Sequence, residues 1–308
     1  MRLVEIGPQQ AGQRLDNYLS KTLKNLPKSR LYRIIRKGEV RVNKKRVKPE
    51  YRLREGDLLR IPPLRLEEPT AAPAVPQGLL DELSGRILHE DADLLVLDKP
   101  SGLAVHSGSG LRFGAIDALR ILRPDSEIEL VHRLDRDTSG CLLFAFHRKA
   151  LLELQRQLQG GDMVKTYEAI VHGRWDPRVR RIELPLKRET MPNGERRVFV
   201  DERGQPAQTL VESCEPFVHD GVEYSLLQLR LLSGRTHQIR VHCQSRGHPI
   251  VGDDKYGDRE RDKPLRREGI RRLLLHAQSL AFTDLEGHGI MVQAPLPEEF
   301  DRITNEVP

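Results

Sequence analysis

The chain has 308 residues, of which 38% are hydrophobic and 31% charged, and its formal net charge is +6. This length suits one large or two unequal domains, and the composition excludes a disordered chain, a disulfide miniprotein and a collagen-like fibre. No segment approaches the run of about 20 apolar residues that a membrane span needs, and the N-terminal residues lack the features of a signal peptide. The three cysteines, Cys141, Cys214 and Cys243, lie far apart. We therefore expect no disulfide framework, no cysteine-based zinc site and a cytoplasmic location.

The charge is distributed unevenly along the chain. Residues 1–63 contain 17 Lys and Arg against 6 Asp and Glu, whereas the remaining residues contain 34 against 39. A basic module of +11 is therefore joined to a mildly acidic body of −5. This asymmetry predicts that the N-terminal module binds a polyanion, most simply a nucleic acid. The alternative is a basic face that is merely solvated.

The basic module is predicted to contain two short helices and a small sheet. Apolar residues recur at helical spacing over 15–23 and again over 31–35, where Gly38 ends the second helix. The segment 40–47 has the pattern of a hairpin around Asn43-Lys44-Lys45. Few aromatic residues accompany the basic ones, so phosphate contacts are favoured over base stacking. The residues expected to contact RNA are Lys28, Arg30, Arg33, Arg36, Lys37, Lys44, Lys45 and Arg46.

Residues 64–85 are rich in proline and predict an extended, semi-rigid linker. The body, residues 86–308, shows more strands than helices, beginning with a hairpin over 87–97. Because strands and helices do not alternate regularly, the pattern favours an α+β fold with a mixed, largely antiparallel sheet over a doubly wound one.

The densest polar cluster of the body is residues 131–140, VHRLDRDTSG, directly before an apolar strand. Arg133 and Arg136 flank Asp135, and nearby cations keep a carboxylate ionised. An ionised carboxylate is suited to nucleophilic or general-base chemistry. The alternative is a structural turn in which Asp137 or Thr138 caps the backbone and the arginines pair with acids; spacing alone does not decide between them.

A second cluster, residues 233–242 with the sequence SGRTHQIRVH, follows a strand and is predicted to open a helix. Its arginines could hold a phosphate or orient the carboxylate of the first cluster. The alternative is a polar helix start with Ile239 and Val241 facing the core. Residues 252–258 have acids at the wrong offsets for a calcium loop, and the histidines include no zinc motif, so we expect no metal site.

Several segments together resemble the RluA family of pseudouridine synthases. They are residues 132–140, the DKPSG of 98–102, the KTY of 165–167, the GRTHQIRVH of 234–242, and 248–257, in the order of that family. Residues 27–57 are similar to a small RNA-binding domain first described in a ribosomal protein of the small subunit. The resemblance covers nearly the whole chain apart from the linker and the last residues.

The resemblance implies a pseudouridine synthase fold and the isomerisation of uridine to pseudouridine in bacterial large-subunit ribosomal RNA, without cofactor or metal. It makes Asp135 the catalytic carboxylate, which either attacks the anomeric carbon of the sugar or removes a sugar proton to give a glycal. It also implies that Arg235 pairs with Asp135, that Tyr167 stacks on or hydrogen-bonds the uracil, and that Ile239 packs against the base. Arg133 would help to hold the flipped nucleotide.

Three other interpretations remain from the sequence. The chain could modify another ribosomal or transfer RNA site, or be a non-catalytic RNA-binding assembly factor. It could also be a different RNA enzyme with the same small domain, such as a tyrosyl-tRNA synthetase, but the ATP-binding segments of that class are missing. No coiled-coil pattern is present, so a monomer is expected.

Overall fold

The computed structural model describes residues 1–23, 26–64, 75–107 and 113–304, without the side chain of Lys28. The chain divides into two compact units, Met1–Ala74 and Val75–Pro308. Among the described residues, no helix combines the length and apolar character needed to cross a membrane.

The first unit contains the two helices and the small sheet that the sequence predicts. In chain order its elements are β1 (Arg2–Glu5), α1 (Leu15–Thr22), α2 (Lys28–Arg36), β2 (Arg41–Val42) and β3 (Leu58–Ile61). The strands form an antiparallel sheet in the order β1-β3-β2. Apolar side chains of both helices and of β3 share one core.

The predicted turn at residues 43–45 is confirmed. Asn43 and Lys44 both have positive φ, 49° and 66°, and Val42 and Lys45 exchange backbone hydrogen bonds across them. Two successive residues with positive φ form the tight turn whose twist matches that of paired strands. The turn leaves Lys44 and Lys45 exposed at its tip.

The second unit contains six helices and twelve strands within its described residues. Its helices are α3 (Gln77–Ser84), α4 (Ala115–Leu122), α5 (Arg148–Gly160), α6 (Gln238–Ser245), α7 (Lys263–Arg267) and α8 (Glu298–Thr304). Its strands are β4 (Ile87–Glu90), β5 (Leu94–Lys99), β6 (Glu129–Leu130), β7 (Ser139–Ala145), β8 (Val164–His172), β9 (Arg181–Glu183), β10 (Leu186–Thr190), β11 (Arg196–Val200), β12 (Gln208–His219), β13 (Val222–Leu231), β14 (Leu275–Thr283) and β15 (Gly289–Gln293).

Ten of these strands form one sheet, with the main order β4-β5-β7-β14-β8-β13-β12-β9. Strand β6 pairs with β7, and β15 pairs with β14; β10 and β11 form a separate hairpin. Among the described strands, every pair is antiparallel except β7 with β14. The predicted mixed, largely antiparallel sheet is confirmed.

Both faces of the central sheet are buried, as the alternation along β5 shows. Leu95 and Leu97 join one apolar cluster, which includes side chains of α3 and α4. Leu94 and Val96 point to the opposite face and join a second cluster with α5. Because successive side chains of a strand point to opposite faces, a fully apolar strand needs cover on both sides.

The second half of the predicted linker is helical, contrary to the extended conformation expected there. Residues 65–74 lie outside the described residues, but α3 follows Pro76 directly. Leu80 and Leu83 of this helix are buried in the first apolar cluster. The prolines end at Pro76, and the leucines after it recur at helical spacing, which provides the apolar face that the helix packs.

Candidate active site

Asp135 lies in the loop between β6 and β7, on the wall of a cavity of about 580 Å³. Its side chain is 23% exposed, so the carboxylate is accessible from the cavity. The lining comes from this loop, from β8, from the end of β13 and from the start of α6. The two polar clusters of the sequence, separated by about a hundred residues, therefore meet at one cavity.

Arg240 holds Asp135 in place. Its Nη1 donates to Asp135 Oδ2 at 3.1 Å, while its Nε and Nη2 donate to the two oxygens of Asp253 at 2.8 and 2.7 Å. Burial opposes the charge of Arg240, but its hydrogen bonds to Asp253 and Asp135 outweigh burial and raise the pKa of the guanidinium above its ordinary value. Burial also acts to raise the pKa of Asp253, but Arg240 holds it below its ordinary value. Arg240 therefore stays charged beside Asp135.

The expected pair between Arg235 and Asp135 is not formed; Arg240 takes that place. Arg235 precedes α6 and is exposed, and its Nε donates to the carbonyl of Pro206 at 3.1 Å. Arg240 lies in the first turns of α6 and is buried. Both arginines belong to the same sequence segment, but Arg235 lies before the start of α6 and Arg240 within the helix.

His237 and Tyr256 support Arg240. His237 precedes α6 with a φ of 53°, and its Nδ1 lies 2.7 Å from the hydroxyl of Tyr256. The guanidinium of Arg240 lies over the Tyr256 ring, 5.2 Å from its centroid, which is a cation–π arrangement. Burial lowers the pKa of His237, although Asp135 acts in the opposite direction.

Tyr167 and Ile239 both line the cavity, as their expected contact with the base requires. Tyr167 lies on β8 and is 6% exposed; burial, with a contribution from the charge of Asp135, raises the pKa of its phenol. Ile239 is 3% exposed and also belongs to the main apolar cluster. Ile239 therefore faces the core, as the structural alternative for this segment expects, and it also lines the cavity; its contact with the base stays a prediction.

The arginines that flank Asp135 in sequence do not pair with it. Arg136 binds the carboxylate of its neighbour Asp137, with Nε 2.8 Å from Oδ1. Arg133 is exposed at the cavity and forms no hydrogen bond or ion pair with the described residues. The alternative for this segment was a structural turn in which the flanking arginines pair with acids. That alternative holds for Arg136 and Asp137, but not for Asp135.

Lys99 fixes the loop that carries Asp135, a role that the sequence analysis did not assign. The side chain is fully buried, and its Nζ donates to the carbonyls of Pro100, Leu103 and Arg136 at 2.8, 2.8 and 2.9 Å. These three acceptors match the three donors of an ammonium group. Burial lowers the pKa of Lys99 to about 7. The DKPSG segment, one of those that carry the family resemblance, was the available signal, but it did not reveal this geometry.

Two groups of side chains in the described residues have the spacing to hold a metal ion. They are His219, Asp220 and Glu268, and Asp284, Glu286 and His288. None of these residues lines the cavity that contains Asp135. Exposed or half-exposed acids form such groups often without a metal, and we assign no metal to either.

The second unit thus holds an accessible aspartate, bonded to a buried arginine, in a cavity, and the unit that precedes it in the chain is small and basic. Residues 93–245 match the RNA pseudouridylate synthase family, and residues 13–59 match the S4 domain. The chain belongs to the pseudouridine synthase family and carries an N-terminal S4 domain.

Individual relatives agree with this assignment. The chain is 48% identical to ribosomal large subunit pseudouridine synthase C of Pasteurella multocida, over 98% of this chain and 93% of that protein. It is also 48% identical to the protein of that name from Escherichia coli K12, over 98% and 95% of the two chains. Among solved structures, human RNA pseudouridylate synthase domain containing 4 aligns with a TM-score of 0.59 and 26% identity, covering 74% of this chain and 95% of that one.

Proposed function

We propose that this protein isomerises uridine to pseudouridine in bacterial large-subunit ribosomal RNA, with Asp135 as the catalytic carboxylate. The observation that supports it best is the position of Asp135: accessible in a cavity, and bonded to a buried arginine. The relatives named as large-subunit pseudouridine synthases support the choice of substrate.

The reaction breaks the bond between C1′ and N1 of uridine and forms a bond between C1′ and C5. In a duplex or folded RNA the stacked uracil has no room to turn and its glycosidic bond is not open to Asp135, so the nucleotide must leave its stack and enter the cavity. Asp135 then acts on the sugar, either by attack at C1′ or by removal of a sugar proton. Arg240 keeps the carboxylate oriented, because a group held by hydrogen bonds needs no reorganisation before it reacts.

The remaining site residues have separate proposed roles. Tyr167 contacts the uracil ring, and Ile239 packs against it. Arg133, which has no side-chain partner among the described residues of the cavity wall or elsewhere, holds the backbone of the flipped nucleotide. Arg235 is assigned a contact with RNA instead of an ion pair with Asp135. It lies where this cavity meets a second cavity of about 450 Å³, which Arg188 and Arg203 also line. These cations suit the phosphates that flank the target nucleotide.

The S4 domain is proposed to bind the same RNA through phosphate contacts. Six of its predicted contact residues are exposed, and Arg30 is partly exposed; the side chain of Lys28 lies outside the described residues. The six exposed residues are Arg33, Arg36, Lys37, Lys44, Lys45 and Arg46. They lie at the exposed face of α2 and around the 43–45 turn.

Replacing Arg33, Arg36 and Lys37 together by Gln is expected to weaken RNA binding and to flatten its salt dependence. The slope of log K against log salt should fall by about 0.7–0.9 for each lost phosphate contact. Turnover at saturating RNA should not change, because these residues lie outside the catalytic unit. Filter binding over a salt series measures the slope.

The matched control replaces three exposed cations of the other unit, Lys149, Arg174 and Arg259, by Gln. This control should leave the slope nearly unchanged. An equal fall of the salt slope in both triple variants would show that the S4 domain is not the principal RNA-binding surface.

The proposed activity is tested by tritium release from RNA labelled at C5 of its uridines. Large-subunit ribosomal RNA should release tritium with the wild-type protein, and transfer RNA and small-subunit RNA should not. Tritium release from transfer RNA alone would mean that the substrate is a transfer RNA. Binding without release from any of these RNAs would favour the assembly-factor alternative.

A ribosomal RNA substrate also implies that the protein works in the cytoplasm, and the three free cysteines suit a reducing compartment. The proposed chemistry needs neither cofactor nor metal, since no group is transferred and no redox change occurs. A monomer is the proposed working state.

A further inference from the structure

Lys165 is a partly buried cation on the cavity wall for which the proposed roles so far give no use. It lies on β8, two residues before Tyr167. Residues i and i+2 of a strand point to the same face, so the Lys165 ammonium and the Tyr167 ring share one side of the sheet. Both line the cavity that contains Asp135.

Lys165 has no acidic partner. The other cations that lie inside the cavity, below the rim of the cavity, each have one. Among the described residues, no carboxylate forms an ion pair with it and no hydrogen bond engages its Nζ, whereas Arg240 is shared by two carboxylates and Arg230 has Glu212 at 3.8 Å. Arg133 and Arg235 are exposed at the rim. Lys165 is thus the cavity's unneutralised, partly buried charge.

The surroundings of Lys165 leave its charge directed at the cavity. Burial, together with the charge of Lys165, lowers the pKa of the neighbouring His132 to about 4, and His132 Nε2 accepts a hydrogen bond from the backbone N–H of Leu143 at 3.2 Å. This imidazole is therefore neutral. The backbone of Gly234 lies beside the ammonium, so that a Cβ atom there would be in van der Waals contact with the lysine Nζ, at 3.8 Å. Neither neighbour carries a negative charge, so the charge of Lys165 stays available to a ligand in the cavity that it lines.

The reaction creates an anion in this cavity by either chemical route. When Asp135 attacks, one of its oxygens bonds to C1′ and the electron pair of the C1′–N1 bond leaves with N1. In the glycal route Asp135 takes the C2′ proton, the C2′–H pair becomes the C1′=C2′ bond, and the same N1 pair leaves. Both give a uracil monoanion, whose charge is shared by N1, O2 and O4. In the attack route C5 then displaces the Asp135 oxygen from C1′, and the pair of the O–C1′ bond returns to the carboxylate. In the glycal route C5 adds to C1′ while C2′ regains its proton from Asp135. In both, C5 finally loses its proton and N1 gains one.

We propose that the Lys165 ammonium pairs with a carbonyl oxygen of the detached uracil anion, and so stabilises the base while it turns from N1 to C5. This inference rests on the proposed function of Asp135. A positioned charge in a site with little water stabilises a developing anion strongly, and the loss of one such donor typically costs about 10²–10³-fold in rate.

The first test compares Lys165→Met with Lys165→Arg in single-turnover reactions on a large-subunit RNA fragment. Lys165→Met should lower the rate constant by about 10²-fold or more while the Kd for RNA stays within about threefold. Lys165→Arg, which keeps the charge, should recover most of the rate. Lys149→Met, at an exposed position of α5, is the control and should match the wild type.

Two outcomes would overturn the inference. A weaker Kd with a salt slope smaller by about one unit, at an unchanged rate, would mean that Lys165 binds a phosphate. Equal losses in Lys165→Met and Lys165→Arg, with an altered melting transition of the catalytic unit, would mean a packing role only.

A second test uses RNA with 5-fluorouridine at the target position. Fluorine stabilises the uracil anion, so glycosidic cleavage depends less on the protein's counter-charge. Chromatography of the digested RNA measures how fast the target nucleoside is consumed. The loss of rate caused by Lys165→Met should be several-fold smaller with 5-fluorouridine than with uridine. An undiminished deficit contradicts the pairing with the anion.

Asp135→Asn separates this inference from the proposed function. If Asp135→Asn turns over uridine, the proposed site is wrong and the role of Lys165 is wrong with it. If Asp135→Asn is inactive while Lys165→Met reacts at the wild-type rate, only the inference about Lys165 is wrong.

Discussion

Asp135→Asn should lower turnover by at least about 10³-fold, while RNA affinity changes little. An amide has nearly the shape of a carboxylate, and its oxygen can still accept the hydrogen bond from Arg240. It is neither a nucleophile nor a base, however, so both routes to cleavage of the glycosidic bond are blocked. Tritium release from C5-labelled large-subunit RNA measures turnover, and filter binding measures affinity.

Asp137→Asn is the matched control, since Asp137 lies two residues further along the same loop. Its carboxylate is 37% exposed, and its side-chain partner is Arg136 rather than Arg240. Pairs this exposed contribute little to stability, about 0–1 kcal/mol, so turnover should stay near that of the wild type. More than a tenth of wild-type turnover in Asp135→Asn, or an equal loss in Asp137→Asn, would contradict the assignment of Asp135.

Arg240→Met should destabilise the catalytic unit by about 3–5 kcal/mol, because it leaves the carboxylate of Asp253 buried without its cation. The side chains are 6% and 0% exposed, so little water can replace the lost contact. The protein's single tryptophan, Trp175, is buried in this unit and reports its unfolding by fluorescence in urea. Turnover should fall as well, because Asp135 loses its hydrogen bond.

The double variant Arg240→Met, Asp253→Asn distinguishes stability from catalysis. Removing both charges relieves the unpaired carboxylate, and the amide oxygen at position 253 can still accept from the backbone N–H groups of Lys255 and Tyr256. We expect the urea midpoint to recover in part while turnover stays low. Turnover that recovers in step with stability would mean that Arg240 acts only through the fold.

The sequence identified the residues of the site better than their contacts. The segments 132–140 and 234–242 were both singled out, and the structure brings them to one cavity. The predicted partner of Asp135, Arg235, lies five residues before the observed partner, Arg240. The two are easily exchanged because both belong to one loop-to-helix segment. Which of them turns inward depends on the start of α6 at Gln238 and on the positive φ of His237. Neither is visible in a pattern of residue types.

Contacts between distant segments set a second limit on what the sequence predicts. Local signals predicted the hairpin of β4 and β5 correctly. The parallel pairing of Ser139 with His276 joins residues 137 positions apart. No local pattern specifies such a pairing; the fit of Gly140 against the backbone of Ala277, where a side chain would clash, helps to determine it. Helix α3 was missed because the prolines before it dominated the composition.

The buried ammonium of Lys99 affects which parts of the protein can unfold locally. It joins the end of β5, the turn at Pro100–Leu103 and the loop of Asp135 through three hydrogen bonds in a fully buried place. Detachment of the loop alone would leave the buried ammonium with only two of its three acceptors, which costs free energy. Loop and central strands therefore belong to one cooperative unit, and amide hydrogens of the loop should exchange with solvent as rarely as those of the strands. We therefore expect the RNA, rather than this loop, to change its conformation on binding.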